Sequence, residues 1–464
     1  MKTSAEVLEF EALRQLLGRY VASPLGRREL TKVSPHADRE RLIAGLAEAG
    51  EAILYLQAAT RPQPAARGAA IRVDFGGIPD VEPAVHKLHI EGAGLEPKEI
   101  FELFTLLDIA ADAKSNLTAA SERFPLLGHR AQSIGEFRAL LRELDGKILP
   151  DGTVADNASV ALARLRRDIE RQKKGIQESL ERFLKAHREE GILQEEFVTI
   201  RNERFVVPVI AGQRRKLDGV IHGTSSSGHT LFVEPLETID LNNELVRLTE
   251  EEFREVHRIL QEMTARLRVY AESIRQTLST MAELELIFAK ARFASDFDCA
   301  IPRFGERLVL KDARHPLLAE VLRRKHRSVV PVSLELTRDR RTLLISGPNT
   351  GGKTVTLKTV GLLSLMAQSA LPVPAAEAEF PVFEQVLADI GDYQSIQENL
   401  STFSAHMSNI REMALDVTPD SLVLLDELGA ATDPEEGGAL GVAIVEHFRA
   451  AGAVTLVSTH LMAL

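Results

Sequence analysis

The stretch that decides the fold reads Gly347-Pro348-Asn349-Thr350-Gly351-Gly352-Lys353-Thr354 and follows the apolar run Thr342-Leu343-Leu344-Ile345-Ser346. It matches the G-x-x-x-x-G-K-[ST] pattern of phosphate-binding loops without a gap. The apolar run predicts a buried strand, and the glycines allow backbone N–H groups to close on phosphate oxygens. Lys353 is expected to reach the β and γ oxygens, and Thr354 to hold Mg²⁺. All eight loop residues are therefore predicted to bind a nucleoside triphosphate; a glycine loop without a ligand is the alternative.

Two strand ends further along the chain suit the same chemistry. Ser421 to Glu427 is an apolar run that ends in two carboxylates. Asp426 is expected to hold Mg²⁺, and Glu427 to polarise the attacking water. A second apolar run, Thr455 to Thr459, ends at His460, which is suited to sense the γ-phosphate. With Lys353 these residues form the predicted catalytic set; the alternatives are a buried strand that merely ends in a turn and a structural histidine.

Composition limits the class of protein. The chain has 464 residues with 44% hydrophobic content, enough for a large core and two to four domains. Its one cysteine, Cys299, excludes an intramolecular disulfide and a multi-cysteine zinc site, which suits a reducing compartment, so a cytoplasmic location is expected. Thr3 and Glu6 fit a capping box that opens an amphipathic helix, and neither a signal peptide nor a membrane span is predicted. The net charge of −11 argues against a general polyanion binder.

Helical periodicity dominates most of the chain. From Glu6 to about Asn116 the pattern is mostly helical, with Leu8, Leu13, Leu16 and Leu17 on one face. After a turn at Pro150-Asp151-Gly152, the pair Asp156-Asn157 offers caps for a helix that runs to about His187. From Leu236 to Ile301 no proline or glycine occurs, which predicts a helix of about 60 residues and roughly 90 Å. Such a helix is more typical of a lever or coiled-coil arm than of a core.

A β-rich module separates the two long helical stretches. Short β-prone runs occur at Phe197 to Ile200, Phe205 to Ile210 and Thr230 to Val233, split by glycines. Residues 161–216 hold 14 Lys/Arg against 9 Asp/Glu, an excess of five in an otherwise acidic chain. The module is thus expected at the tip of an antiparallel arm that contacts nucleic-acid phosphates, while a solvated helical face with a polar hairpin is the alternative. The predicted contacts are Arg201, Arg204, Arg214, Arg215 and Lys216, with the loop Ser225-Ser226-Ser227-Gly228-His229.

Two stretches between the catalytic motifs carry a family resemblance. They read Ala388-Asp389-Ile390-Gly391-Asp392-Tyr393-Gln394-Ser395-Ile396 and Leu400-Ser401-Thr402-Phe403-Ser404-Ala405-His406-Met407, and they resemble the MutS family of DNA mismatch-repair ATPases. The L-S-G-G-Q motif of ABC transporters is missing. GPNTGGKTVTLKTVGLL from Gly347, STFSAHM from Ser401 and LDELGAATDPEEG from Leu425 resemble the second bacterial branch, MutS-two. DARHPLL from Asp312 and the stretch Arg201 to Pro235 also resemble that branch, so the likeness covers nearly the whole chain.

The resemblance implies roles for single residues. ATP or ADP with Mg²⁺ would bind at Gly347 to Thr354, Asp426 and Glu427 would serve hydrolysis, and His460 would be the switch histidine. Ser401 would reach the nucleotide of the opposite subunit in a homodimer, and Gln394 is assigned to the nucleotide site as well. Ala431 stands where the family usually has glycine, which would stiffen a loop at the dimer interface. Because the chain ends at Leu464, we interpret it as an N-terminal fragment that ends inside the ATPase domain, without a Smr nuclease module.

The predicted fold class is multidomain. An all-α core with long antiparallel lever helices and a small β clamp precedes an α/β P-loop ATPase domain of the ABC type. The predicted segments are a helical core domain (1–150), an ascending lever helix (151–195), a β-rich clamp module (196–235), a descending lever helix (236–301) and the ATPase domain (302–464).

The favoured function is a nucleotide-gated dimeric clamp with no membrane partner. Its target would be branched DNA, where it would restrain recombination, or the RNA of collided ribosomes, where it would serve ribosome rescue. A nucleotide-binding scaffold without turnover is one alternative, and a mismatch-repair MutS protein is another. Mismatch reading is disfavoured because the F-x-E strings, Phe253 to Glu255 and Phe304 to Glu306, lie in the long helix and in the lead-in to the ATPase. A cohesin-like coiled-coil ATPase would need longer arms and an S-G-G motif.

Overall fold

The computed structural model describes residues 3–60, 72–348, 351–391, 399–429 and 433–460, without the side chains of 214–216, 399–403 and 405. The chain divides into two compact units. Unit 1 comprises residues 1–80, 109–135 and 275–464, and unit 2 comprises residues 81–108 and 136–274. The fold is mostly helical with several small sheets. The division into five segments stays a prediction.

The elements follow one another in this order along the described residues. The α-helices are α1 (Ser4–Val7), α2 (Phe10–Leu17), α3 (Pro24–Thr31), α4 (Arg39–Thr60), α5 (Glu82–Leu88), α6 (Pro97–Ala119), α7 (Pro125–Ala131), α8 (Arg138–Leu144), α9 (Val160–Ala186), α10 (Ile239–Val269), α11 (Ala271–Asp296), α12 (Pro316–Arg323), α13 (Lys353–Ala367), α14 (Asn399–Asp416) and α15 (Pro434–Ala450). The strands are β1 (Thr199–Arg201), β2 (Arg204–Ile210), β3 (Gly219–Thr224), β4 (Thr230–Pro235), β5 (Arg303–Phe304), β6 (Leu308–Ala313), β7 (Val332–Leu336), β8 (Thr342–Ser346), β9 (Glu377–Phe380), β10 (Gln385–Asp389), β11 (Ser421–Leu425) and β12 (Val454–Thr459). Short 3₁₀ turns occur at Gly18–Tyr20, Asp156–Ala158, Arg188–Glu190, Ala211–Lys216 and Leu236–Thr238.

A four-stranded parallel sheet in unit 1 has the order β10-β11-β12-β8. The sequence predicted three of these strands, and all three are confirmed. Because side chains alternate across a strand, β11 feeds two cores: Leu422 and Leu424 lie in the core that includes α13, whereas Val423 and Leu425 lie in the core of α14 and α15. Helices therefore cover both faces of the central strands, as near-continuous apolar runs of this kind require.

A second sheet and the N-terminal helices complete unit 1. The second sheet has the order β5-β9-β6-β7, with β5 parallel to β9 and antiparallel pairing of β6 with both its neighbours. The capping box of Thr3 and Glu6 is formed and opens α1. The predicted apolar face of the N-terminal segment is confirmed, because its leucines are all buried in the core shared with α13: Leu8, Leu13, Leu16 and Leu17.

One helix in the described part of the chain, α4, is long and apolar enough to cross a membrane by length and composition. This is weak support for a span, since core helices pass the same test. Leu42 and Leu46 of this helix are buried in the core of unit 1. The expectation of no membrane span stays a prediction.

In unit 2, α9 and α10 pack against each other in antiparallel directions. Contacts from Ser159, Arg166 and Gln172 reach back along α10 to Glu255, Glu252 and Leu241 in turn. The antiparallel sheet β1-β2-β4-β3 shares one core with both helices. In this unit α9 buries one apolar stripe: Leu162, Ile169, Ile176, Leu180 and Phe183.

Three details of the sequence prediction were wrong. Ser159 caps α9 and Asp156 lies in a 3₁₀ turn before it, because the Ser159 hydroxyl accepts the Leu162 N–H at 3.0 Å. The predicted single helix after residue 236 is two helices, with Tyr270 between α10 and α11. Strand β3 was not predicted, because its glycines were expected to separate the β-prone runs and not to lie within a strand. Gly219 stands in that strand because a Cβ there would lie 2.5 Å from the Glu234 carbonyl oxygen.

Candidate functional site

The glycine-rich loop leads from β8 into α13. Gly347 has a φ of 147° and Gly352 a φ of 82°, a region that favours glycine. A Cβ at either position would meet no heavy atom within 4 Å, so the loop borders open space. Gly352 is the N-cap of α13, and it brings no side-chain cap to the first backbone N–H groups of the helix. The loop thus offers donors and room for an anion; Asn349 and Thr350 lie outside the described residues.

Lys353 begins α13 and is 5% exposed. Its Nζ donates to the Gly347 carbonyl oxygen, so the side chain folds back over the loop. A buried ammonium group requires such partners, because its desolvation is costly. The group is therefore held at the loop, where a phosphate oxygen could replace the carbonyl.

Thr354 and Asp426 meet beside this loop. The Thr354 Oγ1 donates to Asp426 Oδ2 at 2.7 Å. Asp426 follows β11 directly and is 5% exposed. Its other oxygen, Oδ1, accepts a hydrogen bond from Ser458 Oγ at the end of β12. Parallel strands bring their carboxyl ends to one edge of the sheet. For this reason Asp426 contacts both Thr354, which lies 72 positions before it in the chain, and Ser458, which lies 32 positions after it.

Glu427 has a left-handed backbone with a φ of 51°. A non-glycine residue in this region carries strain of about 1–3 kcal/mol, and such strain clusters at functional sites. The Glu427 N–H donates to Ser458 Oγ at 3.0 Å, and the Leu428 N–H donates to the Ser458 carbonyl oxygen at 3.2 Å. These bonds from β12 hold the turn, and the Glu427 side chain stays partly exposed.

A second group of polar residues lies behind Asp426. The Asp426 N–H donates to the carbonyl oxygen of Asp389, the last residue of β10, at 2.9 Å. The Asp389 carboxylate is 2% exposed and accepts from Asn409 Nδ2 at 2.8 Å and from His406 Nδ1. Both donors come from α14, so this helix is tied to the strand beside Asp426.

The other predicted nucleotide residues are placed less fully. His460 directly follows β12 and is exposed. Ser401 lies in α14, and its side chain is outside the described atoms. Gln394 and Ala431 lie outside the described residues. Their roles stay predictions.

The donor set suits a magnesium ion. Hydroxyl and carboxylate oxygens such as those of Thr354 and Asp426 are hard ligands, and Mg²⁺ is commonly held by one or two protein oxygens plus substrate phosphates and water. Within the described residues no group of three or more His, Cys, Asp or Glu side chains could hold a metal alone. The protein would thus supply part of the coordination and a phosphate ligand the remainder.

A separate cavity of about 740 Å³ lies elsewhere in unit 1. It touches α13 at Val355 and Lys358, on the side lined by Glu9 and His315. Its lining contains none of the loop glycines, Asp426 or Glu427, so it is not the site described above. Burial lowers the pKa of His315 to about 4, which keeps this ring neutral at physiological pH.

The predicted phosphate contacts in unit 2 differ in their surroundings. The Arg201 guanidinium is exposed and stacks over the Phe232 ring at 4.3 Å. Arg204 instead pairs with the buried carboxylate of Glu234 at 2.9 Å and donates to Asn243 Oδ1 at 2.6 Å. His222 reaches the same carboxylate at 2.7 Å. The side chains of Arg214, Arg215 and Lys216 are outside the described atoms.

Comparison with known proteins identifies the family. Residues 343–464 match the family described as MutS domain V. The chain is 39% identical to Endonuclease MutS2 of Pelotomaculum thermopropionicum over 99% of this chain and 56% of the relative. It is 37% identical to Endonuclease MutS2 of a Geobacillus species, with 98% and 56% covered, and 39% identical to Putative endonuclease MutS2 of Bacillus subtilis, with 98% and 56% covered. Residues 343–464 thus match MutS domain V, and nearly the whole chain is similar to MutS2 proteins.

This finding confirms the resemblance that the motifs carry, including the second branch. The mostly helical fold with small sheets is consistent with a multidomain MutS-like architecture. The chain spans 56% of the length of these MutS2 relatives.

Sequence reasoning missed four residues of the site in this chain. Ser458 holds Asp426 and Glu427, while Asp389, His406 and Asn409 lie behind them. Two signals could have found them. Ser458 is the last but one residue of a strand predicted to lie in the same sheet, and Asp389 is a carboxylate that ends an apolar run. The quoted family motifs contain Asp389 and His406, but only the fold shows that they touch.

Proposed function

We propose that this chain binds ATP with Mg²⁺ at the loop Gly347 to Thr354 and hydrolyses it. The observation that carries the proposal is the 2.7 Å contact between Thr354 Oγ1 and Asp426 Oδ2 beside an open glycine loop. It joins the loop to the carboxyl end of β11, where a phosphate chain and its metal would need oxygen ligands.

Each residue has a distinct role in this proposal. Backbone N–H groups of the loop and the N-terminus of α13 would bind phosphate oxygens, and Lys353 would exchange its bond to Gly347 for one to the β/γ oxygens. Thr354 and Asp426 would hold Mg²⁺, which would neutralise charge on the phosphates. Glu427 would orient the attacking water and accept its proton, and His460 would sense the γ-phosphate.

Two substitutions separate an ATPase from a scaffold without turnover. Lys353→Ala should abolish nucleotide binding, because it removes the cation at the loop. Glu427→Gln should keep binding and trap ATP while turnover is lost. Lys358→Ala is the matched control, since this lysine lies on the same helix and pairs with Glu9 at 3.6 Å. Unaltered behaviour of Glu427→Gln would favour the scaffold, and tight binding by Lys353→Ala would contradict the site.

We further propose that the protein is associated with nucleic acid in the cytoplasm. The similarity to proteins named Endonuclease MutS2 and the exposed Arg201 on Phe232 support this. Branched DNA and ribosomal RNA share the phosphate chemistry that this arginine would recognise. Affinity for Holliday junctions and for collided ribosomes, compared at one salt concentration, distinguishes the two targets; equal affinity for linear duplex contradicts the clamp.

We propose a homodimer as the state that hydrolyses ATP, with Ser401 of each chain at the nucleotide of the other. Sedimentation with and without ATP and Mg²⁺ tests this arrangement. Turnover per chain that is constant on dilution, with a monomeric mass, would contradict the need for two chains. In heterodimers of Ser401→Ala with Glu427→Gln, one of the two sites should be active if each site takes one residue from each chain, which is about a quarter of all sites in an equal random mixture.

A further inference from the structure

We propose that Asp389, His406 and Asn409 form a positioning cluster that fixes Asp426 and ties its position to helix α14. This inference rests on the proposed nucleotide site. The three residues touch neither the loop nor the Thr354 hydroxyl in the contacts described above, so they are positioning residues and act through Asp426.

The cluster satisfies a buried charge. Asp389 is 2% exposed, and a carboxylate at such a position is stable only with hydrogen-bond donors. Asn409 Nδ2 donates to Oδ1 at 2.8 Å, and His406 Nδ1 donates to Oδ2. His406 and Asn409 lie three residues apart on α14, so they share one face of the helix. Together they donate to both carboxylate oxygens of Asp389. The helix is thus fixed at one point on the strand end.

Asp389 also connects the parallel sheet to Asp426 through its backbone. In the ladder Asp389 stands beside Leu425, and its carbonyl oxygen accepts the Asp426 N–H at 2.9 Å, one residue beyond β11. The carboxylate of Asp426 is held at its other end by Ser458 and Thr354. Movement of Asp389 would therefore displace the backbone of Asp426 and change the position of its Oδ2, the oxygen assigned to the metal.

The arrangement also links α14 to the nucleotide site. This helix includes Ser401, five residues before His406, so a shift of Ser401 would be transmitted to Asp389 through His406 and Asn409. In the proposed dimer, the residue that reaches one nucleotide would thus bias the metal ligand of the other. Outer hydrogen-bond partners of metal ligands commonly change metal affinity or activity by about 10- to 100-fold when they are replaced.

The test compares Mg²⁺ dependence with nucleotide affinity in the 464-residue chain. His406→Leu and Asn409→Leu should raise the Mg²⁺ concentration for half-maximal ATP binding by about 10-fold or more. Affinity for ATP measured in EDTA should stay within about twofold of the unchanged chain, since the loop is intact. His406→Asn should restore most of the Mg²⁺ response, because its amide N–H can replace Nδ1 as donor to Asp389.

A matched control and a second readout keep the inference separate from the proposed function. His447→Leu makes the same chemical change on α15, where the ring lies 3.2 Å from the Ala414 carbonyl oxygen of α14 and has no described hydrogen bond to Asp389. Hydrogen exchange of the Asp426 amide, measured without nucleotide, should be faster in His406→Leu and unchanged in His447→Leu. Equal exchange and equal Mg²⁺ response in His406→Leu and His447→Leu overturn the positioning role.

The double substitution decides whether the residues act as one group. If His406 acts through Asp389, Asp389→Leu with His406→Leu should raise the Mg²⁺ concentration for half-maximal ATP binding no more than Asp389→Leu alone, whereas independent effects would multiply. If the unchanged chain shows no Mg²⁺-dependent ATP binding, the proposed function fails, and the hydrogen-exchange result then judges the cluster by itself.

Discussion

Replacing Ser458 with alanine tests how the two carboxylate residues after β11 are held. Ser458 is fully buried, its Oγ donates to Asp426 Oδ1, and it accepts the Glu427 N–H at 3.0 Å. The substitution removes both bonds. A hydrogen bond to a charged group contributes about 1.5–3 kcal/mol and a neutral one about 0.5–1.5 kcal/mol, so the free energy of unfolding should fall by about 2–4.5 kcal/mol.

Urea unfolding measures this loss, and Mg²⁺-dependent ATP binding should weaken in the same variant. Thr455→Val is the matched control on the same strand, because Thr455 is fully buried and its hydroxyl donates only to the Ala453 carbonyl oxygen, at 3.4 Å. The control should lose less than about 1 kcal/mol. If Ser458→Ala loses no more stability than the control, Ser458 does not hold the two carboxylate residues, and the reasoning is refuted.

Three further substitutions test single features of unit 1. Gly352→Ala forces alanine to a φ of 82° and should cost about 1–2 kcal/mol in urea unfolding, whereas Gly351→Ala, with its nearest contact at 3.9 Å, should cost less. Burial lowers the pKa of His315 from 6.5 to about 4, so the unfolded chain binds the proton better in this range; stability should fall as pH drops from 6.5 towards 4, and less so in His315→Phe. Burial lowers the pKa of Lys290 from 10.5 to about 8, so stability should rise between pH 8 and 10.5, and a rise that persists in Lys290→Met would contradict this.

The sequence predicted those residues of the nucleotide site that directly follow the ends of strands. Apolar runs that end in Ser346, Leu425 and Thr459 mark three parallel strands, and such strands bring the residues after them together at one edge. Their order, with β12 between β8 and β11, does not follow from the sequence. For that reason Asp426 was predicted, whereas its contact with Ser458 was not.

The errors share a physical cause, which is that local patterns omit the neighbour across space. Gly219 reads as a break, yet it lies in a strand where the Glu234 carbonyl oxygen leaves no room for a Cβ. Tyr270 fits the apolar repeat of a continuous helix, yet it ends α10 and packs edge-on against Phe137 at 6.3 Å. Neither contact has a signal within its own stretch of sequence.

Charge counts along the chain overstate the cations that unit 2 can offer to phosphates. Arg204 forms an ion pair with Glu234. On α9, Arg166 pairs with Glu252 and Lys173 pairs with Glu170. Beyond a short distance the positive charges of these three side chains are therefore largely cancelled by their carboxylate partners. Four predicted contacts are left: Arg201, Arg214, Arg215 and Lys216.

Four phosphate contacts would give duplex DNA binding a log–log salt slope of about −4. Arg201→Ala should make the slope shallower by about one, and Arg254→Ala, an exposed arginine paired with Glu250, should leave it unchanged. A much steeper slope in the unchanged chain would mean that the paired arginines of α9 exchange their carboxylate partners for phosphates when DNA binds. The excess of basic residues in the sequence would then predict DNA binding better than the ion pairs of the free protein do.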